Sequence, residues 1–136
     1  MAKMLMSVVI VLLLAVGIYF MYSAVPESPI TGNVVAENSD GVKVFVVDSS
    51  HLRFYIDGVE NPDIRVKQGD KVRIEFTSSE GFHDWVVDEF GAATEKINAG
   101  GSSFVEFVAD KKGTFEYYCS VGKHRANGMK GNLIVE

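Results

Sequence analysis

The sequence contains little cysteine, histidine or proline, with one, three and three of them among 136 residues. A single cysteine excludes an intrachain disulfide framework. Basic residues are not in excess either, because 13 Lys and Arg face 18 Asp and Glu, for a net charge of −5. Nucleic-acid binding needs a strong basic footprint, so we expect no nucleic-acid partner. Beyond residue 22 no stretch keeps a helical period over three turns, which argues against a helical domain.

Charged residues are absent from residues 4–22, which contain one serine and one glycine among apolar positions. At about 1.5 Å per residue, this segment is long enough to cross a hydrocarbon core of roughly 30 Å. Lys3 precedes it, and the positive-inside tendency keeps residues 1–3 in the cytoplasm. The sequence therefore predicts a single-pass transmembrane helix, a signal anchor in the cytoplasmic membrane, with the rest of the chain on the extracytoplasmic face.

A cleaved signal peptide is the alternative interpretation of this segment. The apolar core of a signal peptide usually runs about 7–15 residues and ends in a small-x-small site. Here the run is longer, and Tyr22 stands where a small residue is wanted. We favour the uncleaved anchor, and both interpretations place the remaining chain outside the cytoplasmic membrane.

Residues 23–41 are small or polar and include two prolines, which predicts a flexible linker. Residues 42–136 form the predicted domain, in which short β-branched or aromatic segments alternate with turn residues. This pattern predicts an all-β fold, a small sandwich or barrel, with one helical turn within residues 88–94. The eight predicted strands are residues 42–47, 52–56, 64–66, 72–76, 82–87, 104–108, 114–118 and 132–135.

One thiol, one imidazole and one thioether follow a predicted strand at short range. Cys119, His124 and Met129 have the spacing C-x4-H-x4-M, and glycines within and after this run let the loop curl. His83 lies in an earlier predicted strand, on the face that also carries Trp85. Two imidazoles and a thiolate with a weak axial thioether are the ligand set of an electron-transfer copper site. The sequence therefore predicts one copper ion bound by these four side chains.

Other interpretations of the same residues remain open at this point. Taken singly, a cysteine or methionine of this kind is more often a packing residue than a ligand. Zinc is the nearest rival metal, but structural zinc prefers four Cys or His ligands. The binuclear copper site of respiratory oxidases needs two bridging cysteines, and this chain has one. In a red-copper variant, Glu89 or Glu95 would replace the thioether.

The ordered pattern resembles the cupredoxins, the small blue copper proteins that include plastocyanin, azurin and the membrane-attached halocyanins. The resemblance is carried by residues 64–72, His83 and residues 113–131, and it spans the whole predicted domain. It implies a Greek-key β-sandwich of eight strands that binds one copper ion. The C-to-H spacing is azurin-like and the H-to-M spacing is plastocyanin-like, so neither subfamily is specified.

The resemblance also implies a role for each site residue. His83, Cys119 and His124 would be equatorial ligands, and Met129 would be the weak axial one. The ring edge of His124 would reach the surface and pass electrons to partners. Tyr118 matches a position that lines a second docking patch in plastocyanins.

The function implied by the resemblance is electron transfer, in which copper cycles between Cu(I) and Cu(II) and passes electrons between redox protein partners. We expect a monomer, anchored in the membrane, without a small-molecule substrate. Lys123 and Arg125, near the exposed ligand edge, would favour a partner with an acidic patch. The predicted border of that edge consists of Gly81, Phe82, Gly122 and Ala126.

Two other functions fit the sequence less well than electron transfer does. Copper storage or delivery would use the same ligands, but delivery proteins usually have exposed Met/His-rich sites, and no Met-rich run occurs after residue 22. Copper enzymes such as nitrite reductases need a second site with several more histidines. Only His51 is left over, and it is expected on the surface, so we predict that the chain is not an enzyme.

Asp84 marks a departure from the family pattern, because the residue after the upstream histidine is commonly asparagine. A carboxylate there can accept hydrogen bonds from Ser120, and its negative charge favours Cu(II) over Cu(I). We therefore predict that Asp84→Asn raises the reduction potential of the copper-loaded protein. Redox titration of the variant beside its parent tests this, and equal potentials would refute the assigned effect of the charge.

Overall fold

The computed structural model describes residues 36–37 and 40–136, and this part of the chain is all-β apart from one 3-10 turn at Asp88–Phe90. The predicted anchor and most of the predicted linker lie outside the described residues. The strands are β1 (Ala36–Glu37), β2 (Val42–Ser50), β3 (Arg53–Ile56), β4 (Val59–Glu60), β5 (Ile64–Val66), β6 (Lys71–Ser78), β7 (Phe82–His83), β8 (Val86–Val87), β9 (Ala92–Ala93), β10 (Ile97–Asn98), β11 (Ser102–Val108), β12 (Gly113–Tyr118) and β13 (Lys130–Val135).

The strands form two main sheets and one short ladder. The first sheet has the order β11-β6-β2-β3-β4, with β1 also paired to β2, and the second has the order β5-β13-β12-β8-β9. Strands β7 and β10 pair separately. Most pairings are antiparallel, but β2 with β6 and β5 with β13 are parallel. Parallel neighbours need crossover connections, so the chain passes repeatedly from one sheet to the other.

Alternating side chains explain why these segments form half-buried strands. In β6, Val72, Ile74 and Phe76 are buried, whereas the charged residues between them face outward. Successive side chains of a strand point to opposite faces, so this order buries one face of the sheet and leaves the other in water. In β13 the same alternation buries Leu133 and Val135.

Aromatic rings pack the two sheets against each other. Phe54 of the first sheet meets Tyr117 of the second edge-on, with ring centroids 5.5 Å apart. Trp85 stacks on Tyr117 at 5.5 Å, and Phe76 lies 6.1 Å from Phe54. The buried Tyr117 hydroxyl donates a hydrogen bond of 2.6 Å to the carbonyl oxygen of Pro62. This single core lies beneath β12, which leads directly into Cys119.

The predicted and the observed elements differ in more than shifts of up to three residues at strand ends. The predicted strand 82–87 is two strands, because Asp84 and Trp85 are both buried and the chain departs from simple alternation there. The predicted helical turn within 88–94 covers only Asp88–Phe90, since Ala92–Ala93 pairs with β8. Two-residue strands were not predicted, and β1 lies inside the predicted linker.

No helix of the described residues is long and apolar enough to span a membrane. The predicted span at residues 4–22 falls outside that part of the chain, so the anchor stays a prediction.

Tyr117→Phe should lower the free energy of unfolding by about 1–3 kcal/mol, because it leaves the buried Pro62 carbonyl without its donor. Tyr55→Phe, at a half-buried tyrosine of β3, is the matched control and should stay within about 0.5 kcal/mol of the parent. Urea unfolding followed by the fluorescence of Trp85, the one tryptophan, measures both. Equal losses in the two variants would contradict a special role for this hydrogen bond.

Candidate metal centre

Three side chains that can bind a metal converge on one point. His83 ends β7, Cys119 directly follows β12, and His124 lies in the loop that joins β12 to β13. Their donor atoms all lie within 4.8 Å of one another. His83 and Cys119 are buried, with 2% and 1% of their surfaces exposed, and His124 is half-buried. The structure therefore brings together residues that are 36 and 41 positions apart in the chain.

The distances within this cluster suit a single metal ion. The Nδ1 atoms of His83 and His124 are 3.2 Å apart, and the Sγ atom of Cys119 is 3.5 Å from the second and 3.8 Å from the first. The centre of a triangle with these sides lies about 2.0 Å from each donor atom, close to the usual metal–imidazole length of about 2.0–2.1 Å. The three donors are therefore spaced so that a single ion could bind all of them.

Met129 is held next to two of these residues by its backbone. Its N–H donates to the carbonyl oxygen of His124 at 3.0 Å, and its own carbonyl accepts a hydrogen bond from the N–H of Cys119 at 3.2 Å. Its side chain is fully buried. Gly128 precedes it with φ +94°, a conformation that glycine adopts readily and L residues rarely do. Met129 is thus the buried thioether available as a fourth ligand.

The buried carboxylate of Asp84 joins the upstream histidine segment to the ligand loop. Its Oδ1 accepts the N–H of Ser120 at 2.7 Å and its Oδ2 accepts the hydroxyl of Ser120 at 2.5 Å. Asp84 follows His83 and Ser120 follows Cys119, so both hydrogen bonds tie together the residues next to two candidate ligands. The structure thus contains the contact that the sequence predicted between these two residues.

The backbone that precedes His83 surrounds the far side of its ring. The Nδ1 atom faces the cluster, and the backbone of Glu80 favours the protonated imidazole, which opposes the larger lowering of the pKa by burial. A metal-binding histidine commonly donates its other N–H to a backbone carbonyl, a carboxylate or water, which sets the tautomer and the ring plane. Gly81 has φ +87°, and a Cβ there would lie 2.6 Å from Nε2, so only glycine permits this close approach.

Burial also changes the proton affinity of two of the donors. It raises the pKa of the Cys119 thiol, because the thiolate loses its hydration. Burial lowers the pKa of His83, and the neighbouring His124 lowers it further. Both shifts favour neutral side chains at this position. A cation bound there would have to displace the thiol proton, so we expect metal affinity to increase with pH.

The donor set favours copper over zinc. A thiolate and a thioether are soft ligands that suit copper, whereas zinc sites take four stronger donors. Glu89 and Glu95, the candidates for an axial carboxylate in a red-copper variant, are exposed and lie outside the cluster. The His-Cys-His-Met set is consistent with a single copper ion.

A shallow depression of about 310 Å³ opens over the two histidines. Its apolar lining includes Phe82 and Val121, and Phe82 is 42% exposed. His51, predicted as a surface residue, is exposed at the rim and lies 3.4 Å from the carboxylate of Glu80. Gly122 and Ala126, predicted at this border, are exposed but do not line the depression.

Tyr118 belongs to a charged cluster beside the ligand loop. Its hydroxyl donates to Asp88 at 2.8 Å, and the guanidinium of Arg125 stacks over its ring at 3.8 Å. Arg125 also pairs with Glu116 at 2.7 Å, and Lys130 pairs with the same carboxylate at 2.9 Å. Two of the basic residues near the loop are thus partly neutralised, which the sequence did not reveal.

Sequence reasoning also missed contacts made to the site from distant residues. Arg53 and Asn61 donate hydrogen bonds to carbonyls of the ligand loop. The one available signal was Asn61 before a proline, which is typical of a turn and not specific for a site.

In the part of the chain that the structure describes, the fold and the donor set define a small all-β domain with one site suited to a copper ion. The family model described as "Cupredoxin-like domain" matches residues 10–135. The chain therefore belongs to the cupredoxin family, as the motif predicted.

Curated relatives and solved structures agree with this assignment. The copper-containing nitrite reductase of Neisseria meningitidis serogroup A is 36% identical over 84 residues, which cover 54% of this chain and 22% of the relative. The nitrous-oxide reductase of Stutzerimonas stutzeri is 32% identical over 111 residues, covering 78% and 16%. The chain thus spans about a fifth of these relatives. Reduced rusticyanin is similar in fold, with a TM-score of 0.61 at 20% identity, covering 81% of this chain and 89% of that one.

The lowered pKa of His83 predicts how the stability of the metal-free protein depends on pH. The unfolded state takes up a proton near the ordinary pKa of 6.5, and the folded state does so only at lower pH. The free energy of unfolding should therefore fall as the pH decreases below about 6.5. Urea unfolding at several pH values should show a smaller fall for His83→Gln than for the parent.

His51→Gln is the matched control for this measurement, because His51 is an exposed histidine outside the cluster. Its pH dependence should follow that of the parent. A profile for His83→Gln that coincides with the parent's would show that His83 does not carry the effect.

Proposed function

We propose that this chain is a membrane-anchored electron-transfer protein that binds one copper ion through His83, Cys119, His124 and Met129. A copper ion bound there supplies one-electron chemistry between Cu(I) and Cu(II). The observation that carries this proposal is the convergence of a thiol sulfur and two imidazole nitrogens at separations of 3.2–3.8 Å.

The surrounding residues hold the donors in place. The ligand loop connects β12 to β13, so a strand holds it at each end. Backbone hydrogen bonds join Met129 to both Cys119 and His124. Asp84 fixes Ser120 at the start of the loop. A site that keeps its geometry when the metal changes its oxidation state needs little reorganisation, so this rigidity favours electron transfer.

The surface above the site suits brief contacts with redox proteins. His124 lines the depression together with the exposed ring of Phe82, and Gly81 lets a partner approach closely. Electron-transfer complexes are typically weak and of small area. Because Glu116 pairs with both Arg125 and Lys130, the attraction for an acidic patch would depend mainly on the exposed Lys123.

We further propose that residues 4–22 anchor the protein in the cytoplasmic membrane with its domain on the extracytoplasmic face. The support is the sequence alone, since the apolar run is long enough to span the bilayer and Lys3 precedes it. A tether of this kind keeps a carrier near redox partners at the same membrane surface.

Two other functions are less well supported. Storage or delivery requires labile copper, whereas His83, Cys119 and Met129 have at most 2% of their surfaces exposed. Catalysis is suggested by the names of the curated relatives, but the chain has three histidines in all and two of them belong to the proposed site. We therefore propose an electron carrier and not an enzyme.

Adding Cu(II) to the full chain in detergent should give an intense visible band from thiolate-to-copper charge transfer. Cys119→Ser should abolish the band, because it removes the thiolate. Met129→Leu should keep a thiolate band while shifting its position and the reduction potential, because it removes the thioether that would be the fourth ligand. Visible absorption and redox titration measure these effects.

His51→Gln serves as the control and should retain the band of the parent. A colourless parent that folds equally well without metal would refute the copper site. A blue protein that loses its copper to a chelator within seconds would favour delivery over electron transfer.

A further inference from the structure

The ligand loop is held from outside by two residues, Arg53 at the start of β3 and Asn61 directly after β4. Arg53 donates from Nη1 to the carbonyl oxygen of Asn127 at 3.0 Å. Asn61 donates from Nδ2 to the carbonyl oxygen of Gly128 at 3.1 Å. Asn127 and Gly128 immediately precede Met129, so both hydrogen bonds act on the segment that leads into the proposed axial ligand. We call Arg53 and Asn61 together the loop clamp.

Arg53 is itself fixed in orientation. Its Nε donates to the carboxylate of Glu60 at 2.9 Å, and its Nη1 also donates to the carbonyl of Leu52 at 2.7 Å. A Cβ added to Gly128 would lie 3.5 Å from the guanidinium carbon and from both terminal nitrogens. The planar group therefore lies against the bare backbone of that glycine. Its several donors in one plane let a single side chain bridge β3, β4 and the loop.

Asn61 combines a turn role with its contact to the loop. Its backbone is left-handed, with φ +43°, a conformation in which asparagine is enriched among non-glycine residues. Its N–H donates to the carbonyl of Phe54 at 2.7 Å, and its Oδ1 accepts the N–H of Phe54 at 3.0 Å. The amide group offers both an acceptor and a donor, so its Nδ2 remains available for Gly128.

We propose that the loop clamp positions the metal centre. By holding two consecutive carbonyls, Arg53 and Asn61 fix the backbone path into Met129, whose N–H bonds back to His124. The position of the Met129 backbone in turn limits where its side chain can lie relative to the other three donors. The part that concerns Met129 as a ligand rests on the proposed function, whereas the restraint on the loop does not. Mutation of groups that hydrogen-bond and orient metal ligands typically changes the affinity of a protein for its metal ten- to a hundredfold.

Three variants separate this role from general stability. Arg53→Met removes every guanidinium contact and keeps an unbranched apolar stem. Asn61→Asp keeps the acceptor for Phe54, but it replaces the donor that faces Gly128 with an oxygen. Arg65→Met is the matched control, because Arg65 is a partly exposed arginine that pairs with carboxylates away from the loop.

The first measurement uses the full chain without metal. Hydrogen exchange of the peptide segment 120–129 should become about tenfold faster in Arg53→Met and in Asn61→Asp, as expected for the loss of about one hydrogen bond. The control should exchange at the parent's rate. Unchanged exchange in both clamp variants would overturn the proposal, because the clamp would then not restrain the loop.

The second measurement uses the copper-loaded chain. Both clamp variants should bind copper about ten- to a hundredfold more weakly, and their charge-transfer and EPR spectra should shift from the parent's. The control should keep both properties. Variants that only unfold more easily but keep the parent's spectrum and affinity would show a structural role and overturn the positioning role. A parent without a thiolate–copper band would refute the proposed function, while the exchange measurement would still decide whether the clamp restrains the loop.

Discussion

The antiparallel pairing of β12 with β13 is the constraint on which the metal centre depends. Their register runs from Gly113 opposite Val135 to Tyr118 opposite Lys130, so the ladder closes immediately before Cys119 and immediately after Met129. The N–H of Cys119 also donates to the carbonyl of Met129, which continues the pairing of the two segments by one residue pair beyond the ladder. A shift of one residue would turn every side chain of one strand to the other face and separate the thiol from the thioether.

Packing in the core supports this pairing of β12 with β13. Tyr117 packs against Phe54 and Trp85 and bonds the Pro62 carbonyl, which joins β12 to the opposite sheet and to the segment before β5. The loop that leaves this sheet is then restrained from three directions, by Asp84, by its own backbone hydrogen bonds and by the loop clamp. Core packing, strand register and donor geometry are therefore parts of one connected structure.

Much of this arrangement was predictable, because local patterns determine it. Alternation identified the long strands, and the spacing of Cys119, His124 and Met129 identified the loop that brings the donors together. Contacts between distant residues carry no such pattern. Arg53 and Asn127 are 74 positions apart, and neither segment contains a sequence pattern that predicts their hydrogen bond. Asp84 interrupts the alternation of its segment, because its buried carboxylate accepts both hydrogen bonds that Ser120 donates. Strands of two residues are too short to show any period.

The near-complete burial of Cys119 affects the stability of its thiol toward oxidation before the protein binds copper. In a compartment that oxidises thiols, an unpaired cysteine is open to mixed disulfides and sulfenic acid. With 1% of its surface exposed and a raised pKa, the Cys119 thiol presents neither the access nor the anionic sulfur that such reactions require. In such a compartment the thiol would be most exposed to oxidation before β12 pairs with β13, and rapid folding of this hairpin would protect newly made molecules.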